Sequence, residues 1–157
     1  MKKAFRILVF IVICELAGII GSVFTASSIS GWYATLVKPP FNPPGWIFGP
    51  VWTILYAMMG LAAYLVYENG PRRPEIRKAL TVFAIQLIIN ALWSIVFFGA
   101  RQILGAVVVI VLLWVMILLT IRLFSRISKA AAYLLVPYLL WVSFASVLNI
   151  SLYTLNR

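Results

Sequence analysis

The chain has 157 residues, 64% of them hydrophobic, and its formal charges are 13 Lys/Arg against 3 Asp/Glu. No soluble domain of this length hides so much apolar surface, so composition points to an all-α integral membrane protein. The net charge of +10 does not read as a nucleic-acid surface, because the cations sit in short turns between apolar runs and form no basic face; no nucleic-acid partner is expected.

Histidine is absent and Cys14 is the single cysteine, which removes the commonest metal ligand, the usual neutral-pH proton shuttle and any intrachain disulfide. The acids are Glu15, Glu68 and Glu75, too few and too scattered for a carboxylate-pair hydrolase. No phosphate-binding loop, dinucleotide fingerprint or nucleophile elbow occurs. The expectation is no metal site, no required cofactor and no conventional enzyme chemistry.

Five apolar spans follow in order, read as one domain over residues 1–157: about 5–27, 44–67, 79–98, 104–124 and 130–153. The first follows Met-Lys-Lys. A charged start and an apolar core also fit an export signal, but this run is long for one. Ala17, Gly21 and Thr25 recur every four residues, a small-residue stripe where another helix can approach, within the bundle or across a dimer. Glu15, the only acid inside a span, reads first as a helix-packing polar contact and second as a ligand or proton group.

The connection into the second span is the most distinctive stretch. Residues 32–56 read W-Y-A-T-L-V-K-P-P-F-N-P-P-G-W-I-F-G-P-V-W-T-I-L-Y and hold three of the six tryptophans and five of the eight prolines. Prolines 39, 40, 43 and 44 cannot lie inside a helix, so an extended, aromatic connection is expected, with Asn42 as helix N-cap and Pro43 in the first helical position. Pro50 should bend or tighten the first turns. Trp32 and Trp46 fit interfacial anchoring. Trp52 lies deeper and shares a face with Tyr56 at i, i+4. A stiff aromatic connection above a tryptophan-bearing helix suggests a lid and wall for a flat apolar ligand.

The third span, entered through the polar turn 68–78, places Gln86, Asn90 and Trp93 on one face at i, i+4, i+7. They form interhelical hydrogen bonds, line a pocket, or both. The fourth is nearly featureless apart from Trp114 and reads as scaffold or lipid-facing. The fifth contains Pro137, which should kink it and free the Tyr133 carbonyl. Tyr138, Trp141, Ala145, Leu148 and Asn149 follow along one side.

Lys2, Lys3, Arg6, Arg72, Arg73, Arg77, Lys78, Arg122, Arg126 and Lys129 fall on one face of the membrane, and only Lys38, Arg101 and Arg157 on the other. The positive-inside rule then puts the N-terminus in the cytoplasm of a prokaryotic cell membrane, with the aromatic connection outward. An odd span number and the absence of repeats disfavour an inverted-repeat transporter.

The 32–56 stretch resembles the signature of the tryptophan-rich sensory protein and translocator protein (TspO/MBR) family, once called peripheral benzodiazepine receptors. Similarity continues through Q-L-I-I-N-A-L-W-S-I-V-F-F-G-A-R-Q at 86–102 and P-Y-L-L-W-V-S-F-A-S-V-L-N at 137–149. The resemblance implies a five-helix bundle, a homodimer, and a pocket below the first connection that binds porphyrins such as protoporphyrin IX. Eukaryotic members bind cholesterol and synthetic drugs, and light-dependent porphyrin breakdown is attributed to the family. The family's pocket tryptophans match Trp52 and Trp141, and further lining positions match Trp32, Trp46, Asn90, Trp93, Phe144, Ala145 and Leu148. Two departures stand out. Ile150 replaces an aromatic of a proposed cholesterol motif, and Val107–Ile110 lacks an acid often found in the fourth helix. Leu148, Tyr153 and Arg157 satisfy the loose cholesterol pattern in another register, a weak signal.

The resulting expectation is a receptor-like porphyrin-binding membrane protein with a sensing role, its ligand held by Trp32, Trp46, Trp52, Tyr56, Gln86, Asn90, Trp93, Tyr138, Trp141, Phe144, Ala145 and Leu148. Facing indoles stack on a macrocycle at about 0.5–1.5 kcal/mol per aromatic pair beyond area burial. Alternatives are photochemical porphyrin degradation, which Trp52 and Trp141 would carry, and passive transfer of porphyrin, sterol or lipid.

Overall fold

The structure is a computed structural model that describes residues 2–157, and no strand occurs among them. The helices are α1 (Lys2–Ile29), α2 (Trp32–Thr35), α3 (Phe48–Tyr67), α4 (Pro74–Ser94), α5 (Ile103–Ser125), α6 (Lys129–Leu134) and α7 (Val136–Leu155), with a 3₁₀ turn at Gly45–Ile47 and a π-helical turn at Ile95–Gly99. Five segments, Lys2–Ile29, Gly45–Tyr67, Pro74–Gly99, Ile103–Ser125 and Lys129–Leu155, are long and apolar enough to cross a membrane. The chain is a multi-pass membrane protein built from them.

Three boundaries differ from the sequence expectation. Asn42 does not cap the second span. Pro44 leads into the 3₁₀ turn, where the Ile47 N–H donates to the Pro44 carbonyl at 3.1 Å. The Asn42 side chain instead accepts from the Tyr33 hydroxyl at 3.1 Å. The third span begins at Pro74, not Ala79, because proline at the first helical position has its φ pre-set and loses no helical hydrogen bond. The charged residues Glu75, Arg77 and Lys78 therefore lie in its opening turns, with the apolar Ile76 buried between them. The fifth span is not one kinked helix. It breaks at Leu135, whose N–H makes a tighter bond to the Ala132 carbonyl at 3.1 Å, and Pro137 starts the second piece.

α1 packs on α3 and α4, α4 on α5, α5 on α6 and α7, and α3 on α6. The α1–α3 crossing is close: a Cβ on Gly60 would lie 2.5 Å from the Ile11 Cα, so only glycine fits. A first core runs through the basic end of the bundle around Met59, Val66, Ile76, Ile117, Phe124 and Leu135. A second, smaller one under the 32–44 connection joins Phe97, Phe98, Ala106, Leu148 and Leu152. The N-terminus meets the α3–α4 connection at the basic end, where Lys3 pairs with Glu68 at 3.4 Å.

Candidate ligand-binding cavity

The helix break at Leu135 sets the site. α3 packs along α6 but makes no comparable interface with α7. The space left between them, closed by α1, α4 and the 32–44 connection, is a cavity of ≈ 910 Å³, within the size of ordinary small-molecule sites. α1 and α3 cross at Gly60 and touch again where the Tyr56 ring lies against Gly18. From there both helices line the cavity toward the connection above.

Seven of the twelve residues expected to hold a ligand line this space: Trp52, Tyr56, Asn90, Trp93, Trp141, Ala145 and Leu148. Trp52 stacks on Tyr56 with centroids 5.5 Å apart. Trp141 packs edge-on against Phe48 at 6.0 Å, and among the described residues its buried indole N–H has no hydrogen-bond partner. Trp93 stacks on Phe97 at 5.1 Å and donates to Asn149 Oδ1 at 2.9 Å.

The other five lie elsewhere. Trp46 is 74% exposed and does not reach the cavity. It follows Gly45 in the 3₁₀ turn, which aims it outward and leaves Phe48 to line the wall. Trp32 packs edge-on against Phe97 at 5.5 Å, holding the connection down from outside. Phe144 sits between Trp141 (5.5 Å) and Phe41 (6.3 Å). Gln86 and Tyr138, each 1% exposed, stand behind the wall.

Those two belong to a buried chain of polar groups. The Tyr56 hydroxyl donates to Asn90 Oδ1, Asn90 Nδ2 donates to the Tyr138 hydroxyl at 2.8 Å, and Tyr138 donates to Gln86 Oε1 at 2.8 Å. Gln86 Nε2 ends the chain against Met59 Sδ at 3.9 Å. Asn90 thus bonds across helices and lines the cavity at once. Gln86 and Tyr138 serve only the first purpose.

Glu15 departs from the helix-packing role expected first. It makes no hydrogen bond or ion pair among the described residues, and it lines the cavity. It and Lys38 are the two formally charged residues on the wall. Among the described residues no three His, Cys, Asp or Glu side chains gather into a metal-binding set.

The TspO/MBR family pattern matches residues 10–154. This chain belongs to the TspO/MBR family. It is 48% identical over 155 residues to the tryptophan-rich protein TspO of Chlorobaculum tepidum, covering 99% of this chain and 98% of that one. It is 47% identical over 139 residues to the tryptophan-rich protein TspO of Archaeoglobus fulgidus, covering 88% of this chain and 89% of that one. Identity to the translocator protein of Bos taurus is 38% over 149 residues, covering 94% and 88%. The TspO/MBR match spans every residue of the cavity wall, from Glu15 to Leu152.

In this TspO/MBR chain the lid is fastened by residues the sequence did not single out. The Val37 N–H donates to Asn156 Oδ1 at 2.9 Å, and Asn156 Nδ2 donates to the Val37 carbonyl at 2.8 Å. The end of α7 therefore holds the middle of the connection as a neighbouring strand would. Ser28 Oγ donates to the Phe98 carbonyl at 2.8 Å across 70 residues. Lys38 Nζ lies 4.8 Å over the Tyr33 ring, a cation–π contact. Burial raises the Tyr33 pKa above its ordinary 10.0, with the Asn42 hydrogen bond acting in the opposite direction. Likewise, Trp114 donates to Ser143 Oγ at 2.8 Å and ties α5 to α7.

Proposed function

We propose that the chain binds a porphyrin or a similarly flat apolar molecule in the cavity beneath the 32–44 lid and serves as a membrane sensor of that ligand. The observation carrying this reading is the convergence of three indoles, Trp52, Trp93 and Trp141, from three different helices on one space of ≈ 910 Å³. A porphyrin has two apolar faces and carboxylates on its rim. Indole and phenol rings suit the faces. The Trp141 N–H and Lys38 at the lid are donors suited to a rim carboxylate.

Titration of the purified protein with protoporphyrin IX, read by tryptophan fluorescence, tests this directly. Quenching should saturate, and Trp52→Leu or Trp141→Leu should weaken binding by about tenfold each, the loss of about 1.4 kcal/mol of ring contact. Trp46→Leu should leave affinity unchanged. Emission that never responds to porphyrin would sink the reading.

A photochemical reading is favoured by one feature: Trp52 and Trp141 both line the cavity, as electron donors to an excited macrocycle would need to do. Irradiation with bound protoporphyrin IX should then give a spectrally shifted product at a rate that falls when both are changed to Phe. Sidedness follows from the charges. Ten of the thirteen cations lie at the end away from the lid, which supports a cytoplasmic basic end and an outward lid.

A further inference from the structure

A second concave site lies at the basic end of the bundle, remote from the lid. It is a groove of ≈ 290 Å³ between the α3–α4 connection, the first turn of α4 and the end of α5. Three cations from these three segments converge on it: Arg73, Lys78 and Arg126. Its one carboxylate, Glu75, is already paired with Arg73, and Arg73 Nη1 also contacts the Asn69 carbonyl at 3.5 Å. Lys78 and Arg126 have no carboxylate partner among the described residues. The groove thus carries two cations in excess of its one acid, over a floor that includes the fully buried Ile76.

We propose that this groove binds the phosphate of an anionic phospholipid headgroup. Arginine and lysine together match a phosphate, the first through a planar pair of donors and the second as a point charge. Depth selects a lipid as the source. α4 starts at Pro74 and α5 ends at Ser125, so Arg73 and Arg126 stand one residue beyond the apolar spans, where headgroups lie. The positive-inside rule accounts for the number of cations on this face but not for their convergence. Seven of the ten (Lys2, Lys3, Arg6, Arg72, Arg77, Arg122 and Lys129) lie outside the groove. The apolar floor suits the upper acyl carbons.

Native mass spectrometry of the full chain, in neutral detergent micelles doped with phosphatidylglycerol or phosphatidylcholine, reads the site. One phosphatidylglycerol per chain should be retained selectively. Lys78→Gln/Arg126→Gln should lower its apparent affinity at least about tenfold, while Lys2→Gln/Arg6→Gln, which removes the same charge from the same end, should change it less than about twofold. Both pairs are exposed, and matched thermal melts check that folding is intact. Equal losses in the two double variants would show a diffuse field and overturn the site. Displacement of the lipid by equimolar inorganic phosphate would show a soluble anion site and overturn the lipid assignment. Porphyrin titration does not involve these residues, so the site stands or falls separately from the cavity.

Discussion

Replacing Tyr138 with Phe removes one oxygen and leaves the ring beneath Trp52, 6.2 Å away. That oxygen accepts from Asn90 Nδ2 and donates to Gln86 Oε1, each at 2.8 Å. Its loss strands one donor and one acceptor in a place where Tyr138 is 1% exposed. An unpaired buried polar group costs about 1–3 kcal/mol in soluble proteins. Hydrogen bonds inside membrane proteins average about 0.6 kcal/mol, with a maximum near 1.7, because the unfolded chain also finds partners there. Two bonds at the membrane average give about 1 kcal/mol, so the expected loss is about 1–3 kcal/mol. Reversible unfolding in mixed detergent measures it. Gln86→Leu and the double variant complete a cycle: once Tyr138 lacks its hydroxyl, removing Gln86 should cost less by at least about 0.5 kcal/mol. Porphyrin affinity should change by less than about threefold, because Tyr138 stands behind the wall. A stability change below about 0.5 kcal/mol, or strict additivity with Gln86→Leu, would refute the claim that this chain of groups braces α3, α4 and α7.

Gly60→Val should destabilise the bundle by about 1–3 kcal/mol, because the added carbon meets Ile11 backbone atoms at 2.5 and 2.7 Å. Gly45→Ala, with nothing within 4 Å, should be neutral in the same detergent unfolding assay. Asn156→Ala removes both bonds to Val37, so hydrogen exchange in the lid should speed up about 5–30-fold, the equivalent of about 1–2 kcal/mol, with little change in the core of α5. Tyr33 predicts a pH effect. Its folded pKa is raised above 10.0, so the docked lid keeps a proton that a free tyrosine loses. Docking is complete below about pH 10 and weakens as pH rises through the raised value, because burial disfavours the charged phenolate. Protection of the lid amides, corrected for intrinsic exchange, should therefore fall at alkaline pH. Tyr33→Phe should remove that dependence.

The five spans and the proline-stiffened connection were legible in the sequence because hydrophobic length and proline chemistry are local properties. Trp52 was legible from its depth and its face shared with Tyr56, and Trp93 from its face shared with Asn90, whereas Trp141 was singled out as a pocket residue through the family resemblance; depth alone does not select them, since Trp114 is as deep and lies off the cavity wall. The first turn of the third span is illegible as helix because the charges of Glu75, Arg77 and Lys78 mask a helix that proline starts. The buried face of α5, running through Ala106, Ile110, Leu113, Ile117, Thr120 and Phe124, left almost no trace. In a bilayer the outward face is as apolar as the inward one, so the contrast that marks a soluble amphipathic helix disappears.

By itself, then, the sequence determined which segments enter the membrane, which end is basic and where aromatic side chains interrupt the aliphatic spans. Only the tertiary structure decided which of those residues share one space. Trp46 and Trp52 lie six positions apart, yet the 3₁₀ turn sends one outward while α3 turns the other in. Asn90 and Gln86 share a helix face, yet only Asn90 reaches the cavity, because Tyr138 from α7 stands over Gln86. The lid is fastened by Asn156, 119 residues from Val37 in sequence. Such choices depend on how far neighbouring helices approach or lean apart, at Gly60 and at the Leu135 break, and that spacing is a property of packed pairs that no single stretch of chain encodes.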